Sequence, residues 1–184
     1  YGLVEKTQNT FQDCLSRVPF IGKPPAGTAS VPGIREQLTE LIDFPATVYD
    51  FAGIEPPYWH FGKSLRSVLA ETNAIHRDAV FCEGGRLRQE AQASERESVN
   101  STDGRGLYSP RIEQQLREDE VFPHSKAAMC RDDQFKYVRR AYETDEFYDL
   151  GADPGETTNL INEPSSARSI ERMKERMLAW YMET

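Results

Sequence analysis

The sequence predicts a protein of mixed α and β structure, because strand-like and helix-like patterns follow each other along it. Residues 135–150 hold two runs of strand-forming residues around a polar reversal at 143–146, as in a β-hairpin. Residues 153–155 (DPG) then form a turn, since proline fixes φ at one turn position and glycine accepts positive φ at another. The last segment predicts a helix whose shared apolar face is Ile170, Met173, Met177 and Tyr181.

Short apolar runs bounded by turn residues predict the other strands. Residues 17–22 (RVPFIG) end at a Lys-Pro-Pro sequence, which is typical of a buried strand, with Pro19 at its beginning. Residues 79–82 and 126–131 predict two more strands.

Periodic apolar residues predict helices in the first half. Ile34, Leu38, Leu41 and Ile42 recur with the spacing of one helix face. A second helix is predicted to begin at Asp43, an N-cap carboxylate, and to end at Gly53. Ser64 is predicted to cap a third, short helix. In contrast, residues 86–123 form a polar excursion, too poor in apolar residues to build a core of their own.

Composition narrows the class of function. The chain has 184 residues and a formal net charge of −8, which argues against nucleic acid or an anionic membrane surface as a partner. Its three cysteines, Cys14, Cys82 and Cys130, are too few for a disulfide framework, and none has a nearby base in sequence. Zinc-ligand spacing, a Walker loop and a dinucleotide-binding glycine motif are all missing from the sequence. The start at Tyr1, without a signal-like segment, suggests a piece of a longer protein.

Six sequence blocks, in one order, carry a family resemblance. The first combines residues 2–13 (GLVEKTQNTFQD) and 17–21 (RVPFI), and the next two are 41–54 (LIDFPATVYDFAGI) and 61–65 (FGKSL). The late blocks are the strands at 77–83 and 135–138, followed by 146–160 (EFYDLGADPGETTNL). Together they resemble the C-terminal portion of the sulfatase family, in the alkaline phosphatase superfamily.

This resemblance implies a division of the chain. Residues 1–72 would be the C-terminal end of an α/β catalytic domain, supplying a buried strand and two or three helices. Residues 73–184 would be a small α+β subdomain, in which an antiparallel sheet of about four strands packs on the terminal helix. The polar excursion 86–123 would belong to this subdomain.

The resemblance also implies that most of the catalytic machinery lies elsewhere. Sulfatases use a formylglycine made from a C/S-x-P-x-R motif and a divalent metal, here expected to be calcium, and no residue of this chain is expected to hold either. Lys6 is at the position where the family places a lysine on the sulfate, and an ammonium there would stabilise charge that builds up on the oxygens during attack at sulfur. His124 and Arg131 are weaker candidates for substrate contact.

The predicted function is therefore that of a C-terminal fragment of a sulfatase. The parent enzyme would hydrolyse sulfate esters of a small molecule or glycan, and the fragment alone would be inactive. Its partner would be the N-terminal catalytic portion, and by resemblance the parent would be extracellular, periplasmic or lysosomal. Two alternatives remain open: a phosphonate monoester or phosphodiester hydrolase of the same superfamily, and a non-catalytic interaction module.

Overall fold

The computed structural model describes residues 11–90 and 125–183. Lys6, His124 and most of the polar excursion 86–123 therefore lie outside the described residues. Four helices and four strands are seen in this part of the chain. In chain order they are α1 (Asp13–Ser16), α2 (Asp43–Ala52), α3 (Arg66–Ala70), β1 (Val80–Gly84), β2 (Ala127–Arg131), β3 (Phe135–Arg140), β4 (Glu146–Asp149) and α4 (Ala167–Glu183), the last entered through a 3-10 turn at Pro164–Ser166.

The four strands form one antiparallel sheet in the order β1-β2-β3-β4. Cys130 is paired with Phe81 on one side and Tyr137 on the other, and Tyr137 is paired in turn with Phe147. Each strand pairs with its neighbour in sequence, so the sheet needs no crossover. The predicted sheet of about four strands and the terminal helix are confirmed, and the strands are those predicted.

One face of the sheet packs against α4. Side chains on a strand alternate between faces, which places Ala128, Cys130, Tyr137 and Phe147 on the same side. Ile170, Met173 and Met177 of α4 are buried against them, as their spacing predicts. This is the main core of the described chain. None of the described helices is long and apolar enough to cross a membrane.

The opposite face of the sheet is covered by the segment before α1. Phe11 is buried in a small cluster with Ala127, Met129 and Val138. The same face carries Lys136, because its neighbours in β3, Phe135 and Tyr137, point to the side of the sheet that faces α4. The sheet is thus covered on both faces, and a lysine lies in the middle of the second one.

Helices α2 and α3 form as predicted, but both predicted N-caps are wrong: Ile42 is the N-cap of α2 and Leu65 is the N-cap of α3. Gly53 ends α2 with a left-handed φ of 66°. Ser64 accepts a hydrogen bond from the backbone N–H of Arg66 at the beginning of α3. The carboxylate of Asp43 is buried and bonds to residues outside its helix.

The prediction of a buried strand at residues 17–22 is wrong. These residues have no regular secondary structure, and Ile21 is 96% exposed. A strand in a sheet needs a neighbouring strand for its backbone N–H and C=O groups. Within residues 11–90 and 125–183, all named strands belong to the β1–β4 sheet and none lies beside this run.

The helix predicted from Ile34 to Ile42 is also wrong. The preceding Val31 donates its N–H to Leu69 O at 2.9 Å, and Arg35 Nε donates to Val68 O at 2.8 Å, so the segment is held in an irregular path along α3. Ile34 remains 87% exposed. An amphipathic helix is stabilised mainly by packing its apolar face, and this segment has no such packing in the described chain.

Side chains hydrogen-bond to the outer edges of the sheet. Asn159 Oδ1 accepts from Phe147 N at 3.0 Å, and Leu160 N donates to Phe147 O at 2.8 Å, beside β4. At the other edge, Glu40 Oε1 accepts from Phe81 N at 2.7 Å. Two distant segments therefore flank the sheet, one on each side.

Candidate functional site

Lys136 is the centre of a buried ionic network. Its side chain is 0% exposed, and its Nζ donates to Phe11 O at 2.7 Å, to Asp13 Oδ1 at 2.6 Å and to Glu156 Oε2 at 2.7 Å. An ammonium has three N–H donors, and all three are used. The network thus joins β3, the segment before α1 and the turn after β4.

The turn at residues 153–156 aims Glu156 at this network. Asp153 accepts hydrogen bonds from Thr157 N at 2.7 Å and Thr158 N at 2.8 Å, which lower the pKa of its carboxyl. Glu156 follows Gly155 with a φ of 53°, an unusual conformation for a residue with a side chain. Its second oxygen, Oε1, accepts from Asp13 N at 2.7 Å. The turn formed by the D-P-G-E block therefore places the carboxylate of Glu156 in the buried network.

Arg131 completes the network on β2. Its Nε and Nη2 donate to Asp13 Oδ1 and Oδ2 at 3.3 and 3.2 Å. Burial raises the pKa of Asp13, but the hydrogen bonds and charges of Lys136 and Arg131 outweigh it, so that the pKa lies below its ordinary value. Two cations neutralise two carboxylates. The predicted contact of Arg131 with a substrate stays a prediction, since the guanidinium is paired with Asp13 here.

A second buried cluster surrounds Asp43. Its Oδ2 accepts from Arg77 Nε and pairs with His76 Nε2, both at 3.0 Å, and its Oδ1 accepts from Lys63 N at 2.8 Å. Arg77 Nη2 also donates to Asp43, and Arg77 Nη1 lies 3.2 Å from Glu40 Oε2. This cluster links the beginning of α2 to the residues that lead into β1.

These clusters do not fit a metal ion. In the part of the chain that the structure describes, no group of three or more His, Cys, Asp and Glu side chains forms a candidate metal site. The carboxylates of Asp13, Glu156 and Asp43 already bind lysine or arginine side chains. These carboxylates serve as structural anions in the described part of the chain.

A cleft of about 970 Å³ lies between the irregular segment at residues 17–42 and strands β1 and β2. Its lining is mainly apolar, with Phe20, Leu41 and Met129 among the side chains, and Arg131 and Glu40 add charge to the wall. Nearby apolar residues are also exposed, including Ile21 and Ile34. Exposed apolar side chains are therefore concentrated on this side of the molecule.

The structure brings together residues that sequence reasoning left separate. Of the three predicted site residues, Arg131 alone lies in the described part, whereas Lys6 and His124 lie outside it. Lys136, Asp13 and Glu156 were missed as a group, because 20 to 143 positions separate the bonded pairs. One signal for Lys136 was available: it shares a strand face with Val138, in a strand with apolar residues on both faces.

We compared the chain with known proteins by sequence and by fold. No protein-family model matches the chain. It is 26% identical, over 172 residues, to the multifunctional alkaline phosphatase superfamily protein PehA of Trinickia caryophylli, covering 89% of this chain and 28% of PehA.

Solved structures agree on the fold. The phosphonate monoester hydrolase of Agrobacterium radiobacter matches with a TM-score of 0.56 at 24% identity, over 80% of this chain and 26% of the hydrolase. The enzyme SpPMH of Silicibacter pomeroyi matches with a TM-score of 0.55 over the same shares of the two chains. BT4656, solved in complex with its substrate D-glucosamine-2-N,6-O-disulfate, matches with a TM-score of 0.51 at 21% identity, over 74% of this chain and 22% of its own. The chain thus spans about a quarter of the length of these proteins.

The sequence blocks, the four-stranded sheet with its terminal helix and these matches agree with one another. The chain is similar in sequence to a protein of the alkaline phosphatase superfamily and has the fold of the C-terminal part of sulfatases and phosphonate monoester hydrolases.

Proposed function

We propose that this chain is the C-terminal part of a sulfatase that hydrolyses sulfate esters to an alcohol and sulfate. One observation carries the proposal most directly. The buried network joins Phe11 and Asp13, at the end of the Lys6 block, to Glu156 of the D-P-G-E block. Both blocks resemble sulfatase sequences, and the structure brings them into contact in one buried ionic network.

Lys6 would act on the substrate. Its ammonium would contact the sulfate group and stabilise the negative charge that shifts onto the sulfuryl and bridging oxygens in the transition state. Lys6 is five residues before Phe11, whose carbonyl is fixed by Lys136. The formylglycine nucleophile and the calcium ion are assigned to the N-terminal catalytic portion of the full-length hydrolase.

The apolar surface of the first half supports this assignment. Large apolar side chains at residues 18–61 are exposed, most of them in the irregular segment and on α2. We assign this surface to contact with the N-terminal catalytic portion.

A second candidate is a phosphonate monoester or phosphodiester hydrolase. The likeness to the phosphonate monoester hydrolases, with TM-scores of 0.55 and 0.56, favours it. A lysine ammonium would serve a phosphonate oxygen as well as a sulfate oxygen, because both are anionic tetrahedral groups. The likeness to BT4656, which was solved in complex with a sulfated glucosamine substrate, favours the sulfatase.

The test compares full-length hydrolase and the 184-residue chain on an aryl sulfate and on a phenyl phosphonate monoester. We expect turnover of the sulfate by the full-length protein alone. Preferential turnover of the phosphonate would select the second candidate. A full-length protein that turns over neither ester would favour the non-catalytic interaction module.

The role of Lys6 is tested in the active protein. Lys6→Ala is expected to lower kcat/KM while the melting temperature stays unchanged, because one anion contact in the transition state is lost. Lys23→Ala, an exposed loop lysine in the same half of the chain, is the matched control and should have no effect. Equal rates in the two variants would remove Lys6 from the site.

A further inference from the structure

We propose that Lys136 and Glu156 are positioning residues, which hold the backbone of residues 11–13 against the sheet and thereby support the catalytic role proposed for Lys6, five residues before Phe11 in sequence. This inference rests on the proposed function for the role of Lys6. It adds two residues, one on β3 and one in the turn after β4, that act through the segment and do not touch the substrate.

Lys136 and Glu156 both bond to backbone atoms of residues 11–13, and such bonds restrict the path of the main chain. Lys136 Nζ donates to the carbonyl oxygen of Phe11 at 2.7 Å, and Glu156 Oε1 accepts from the N–H of Asp13 at 2.7 Å. The Phe11 carbonyl is therefore held by a cation, and the Asp13 amide, two residues later, is held by an anion. The Phe11 side chain is buried against Met129 and Val138, which fixes the same segment by packing. The segment is therefore anchored at three independent points.

The network is costly for a purely structural role. Burying an ammonium and a carboxylate loses their hydration, and apolar residues of similar volume often stabilise a fold as well or better. Glu156 also adopts a φ of 53°, which is unfavourable for a residue with a Cβ. Strained and costly arrangements of this kind are concentrated at functional sites. Here the feature that they maintain is the path of residues 11–13.

The kinetic test uses the full-length hydrolase and the variant Lys136→Met. We expect kcat/KM for the ester to fall about tenfold to a hundredfold at a temperature where the variant is fully folded, because a small displacement of a catalytic segment has effects of this size. The matched control is Asp132→Asn. Asp132 is a buried carboxylate paired with Arg172 and Arg176, and it has no hydrogen bond to residues 11–16. It should lose stability and keep its kcat/KM.

A double variant separates positioning from stability. Lys136→Met combined with Glu156→Leu removes both buried charges and leaves apolar side chains, so we expect the melting temperature to recover relative to Lys136→Met. The kcat/KM should stay low, because the bonds to Phe11 O and Asp13 N are still missing. Recovery of both quantities together would overturn the positioning role.

Hydrogen exchange gives a readout that does not depend on turnover. Peptides that cover residues 3–16 should exchange faster in Lys136→Met than in wild type or Asp132→Asn. Unchanged exchange and unchanged kcat/KM in Lys136→Met would overturn the inference and leave the proposed function standing. Absence of ester turnover in the wild type would overturn the proposed function, and the exchange rates would then decide the anchoring alone.

Discussion

Lys136 Nζ lies 2.7 Å from Glu156 Oε2, and both side chains are almost completely removed from solvent. Removing one partner of such a pair leaves an uncompensated buried charge. We expect Lys136→Met to lower the free energy of unfolding of this chain by about 3–5 kcal/mol. Urea denaturation followed by circular dichroism measures this value. A loss below about 1 kcal/mol, the value typical of an exposed ion pair, would contradict the burial of the pair.

Acid should weaken the link between α2 and β1 through Asp43. Burial raises the pKa of Asp43, but hydrogen bonds from Arg77, from the backbone N–H groups of Glu40 and Lys63, and from His76 lower it from 3.8 to about 2. A carboxyl whose pKa is lower in the folded state stabilises the fold above its unfolded pKa, and loses that contribution as the pH falls towards the folded pKa.

The prediction for Asp43 therefore concerns the range from about pH 4 down to about pH 2. The linkage contribution is on the order of 2 kcal/mol, and it should disappear in Asp43→Asn. The measurement is the urea midpoint of wild type and variant at pH 5, 4, 3 and 2.5, where the gap between the two should narrow with acidification. Asp133→Asn, at an exposed position, is the control. A gap that stays constant with pH would refute the assignment.

Gly62 should not tolerate a side chain. A Cβ at this position would collide with the carbonyl oxygen of Ile42 and would lie 3.0 Å from the Cβ of Ala46. The obstacle is backbone, which moves only if α2 shifts, so Gly62→Ala should cost about 1–3 kcal/mol. Gly22→Ala is the control, since nothing lies within 4 Å of a Cβ there. Equal melting temperatures for the two variants would show that α2 is not packed on the Gly62 backbone.

Met173 is the most informative core position on α4. It is fully buried against the sheet, whereas Met182 on the same helix is 79% exposed. Met173→Ala should therefore cost about 2–5 kcal/mol, and Met182→Ala should stay within about 0.5 kcal/mol of wild type. The two variants have the same change in helix propensity, so their difference measures packing. A similar loss in both would mean that α4 is not held by its Met173 face.

The second half of the fold was predictable because its contacts are local. The strands at Val80, Ala127, Phe135 and Glu146 are each bounded by turn residues and pair with the next strand along the chain. The errors were in the first half. The apolar pattern at residues 17–22 and 34–42 describes surfaces that would need a partner to form a strand or a helix, and the described residues supply none.

The site was predictable only in its separate parts. The turn at residues 153–155 and the position of Arg131 at the end of a strand were predicted from the sequence, whereas the role of Lys6 stays a prediction. Lys136 was not predicted, because a lysine in a strand usually faces solvent, and the acidic partners that bury it come from positions 123 and 20 residues away. Only the tertiary fold shows that Asp13 and Glu156 meet at one ammonium.

Asn159 and Glu40 have a consequence for self-association. Antiparallel sheets often aggregate when an outer strand offers free backbone donors and acceptors to another molecule. In this sheet, Phe147 N and Phe81 N, on the two outermost strands, already donate to the Asn159 amide oxygen and the Glu40 carboxylate. A second molecule would have to displace these side chains before it could add a strand, so they disfavour association through the sheet edges.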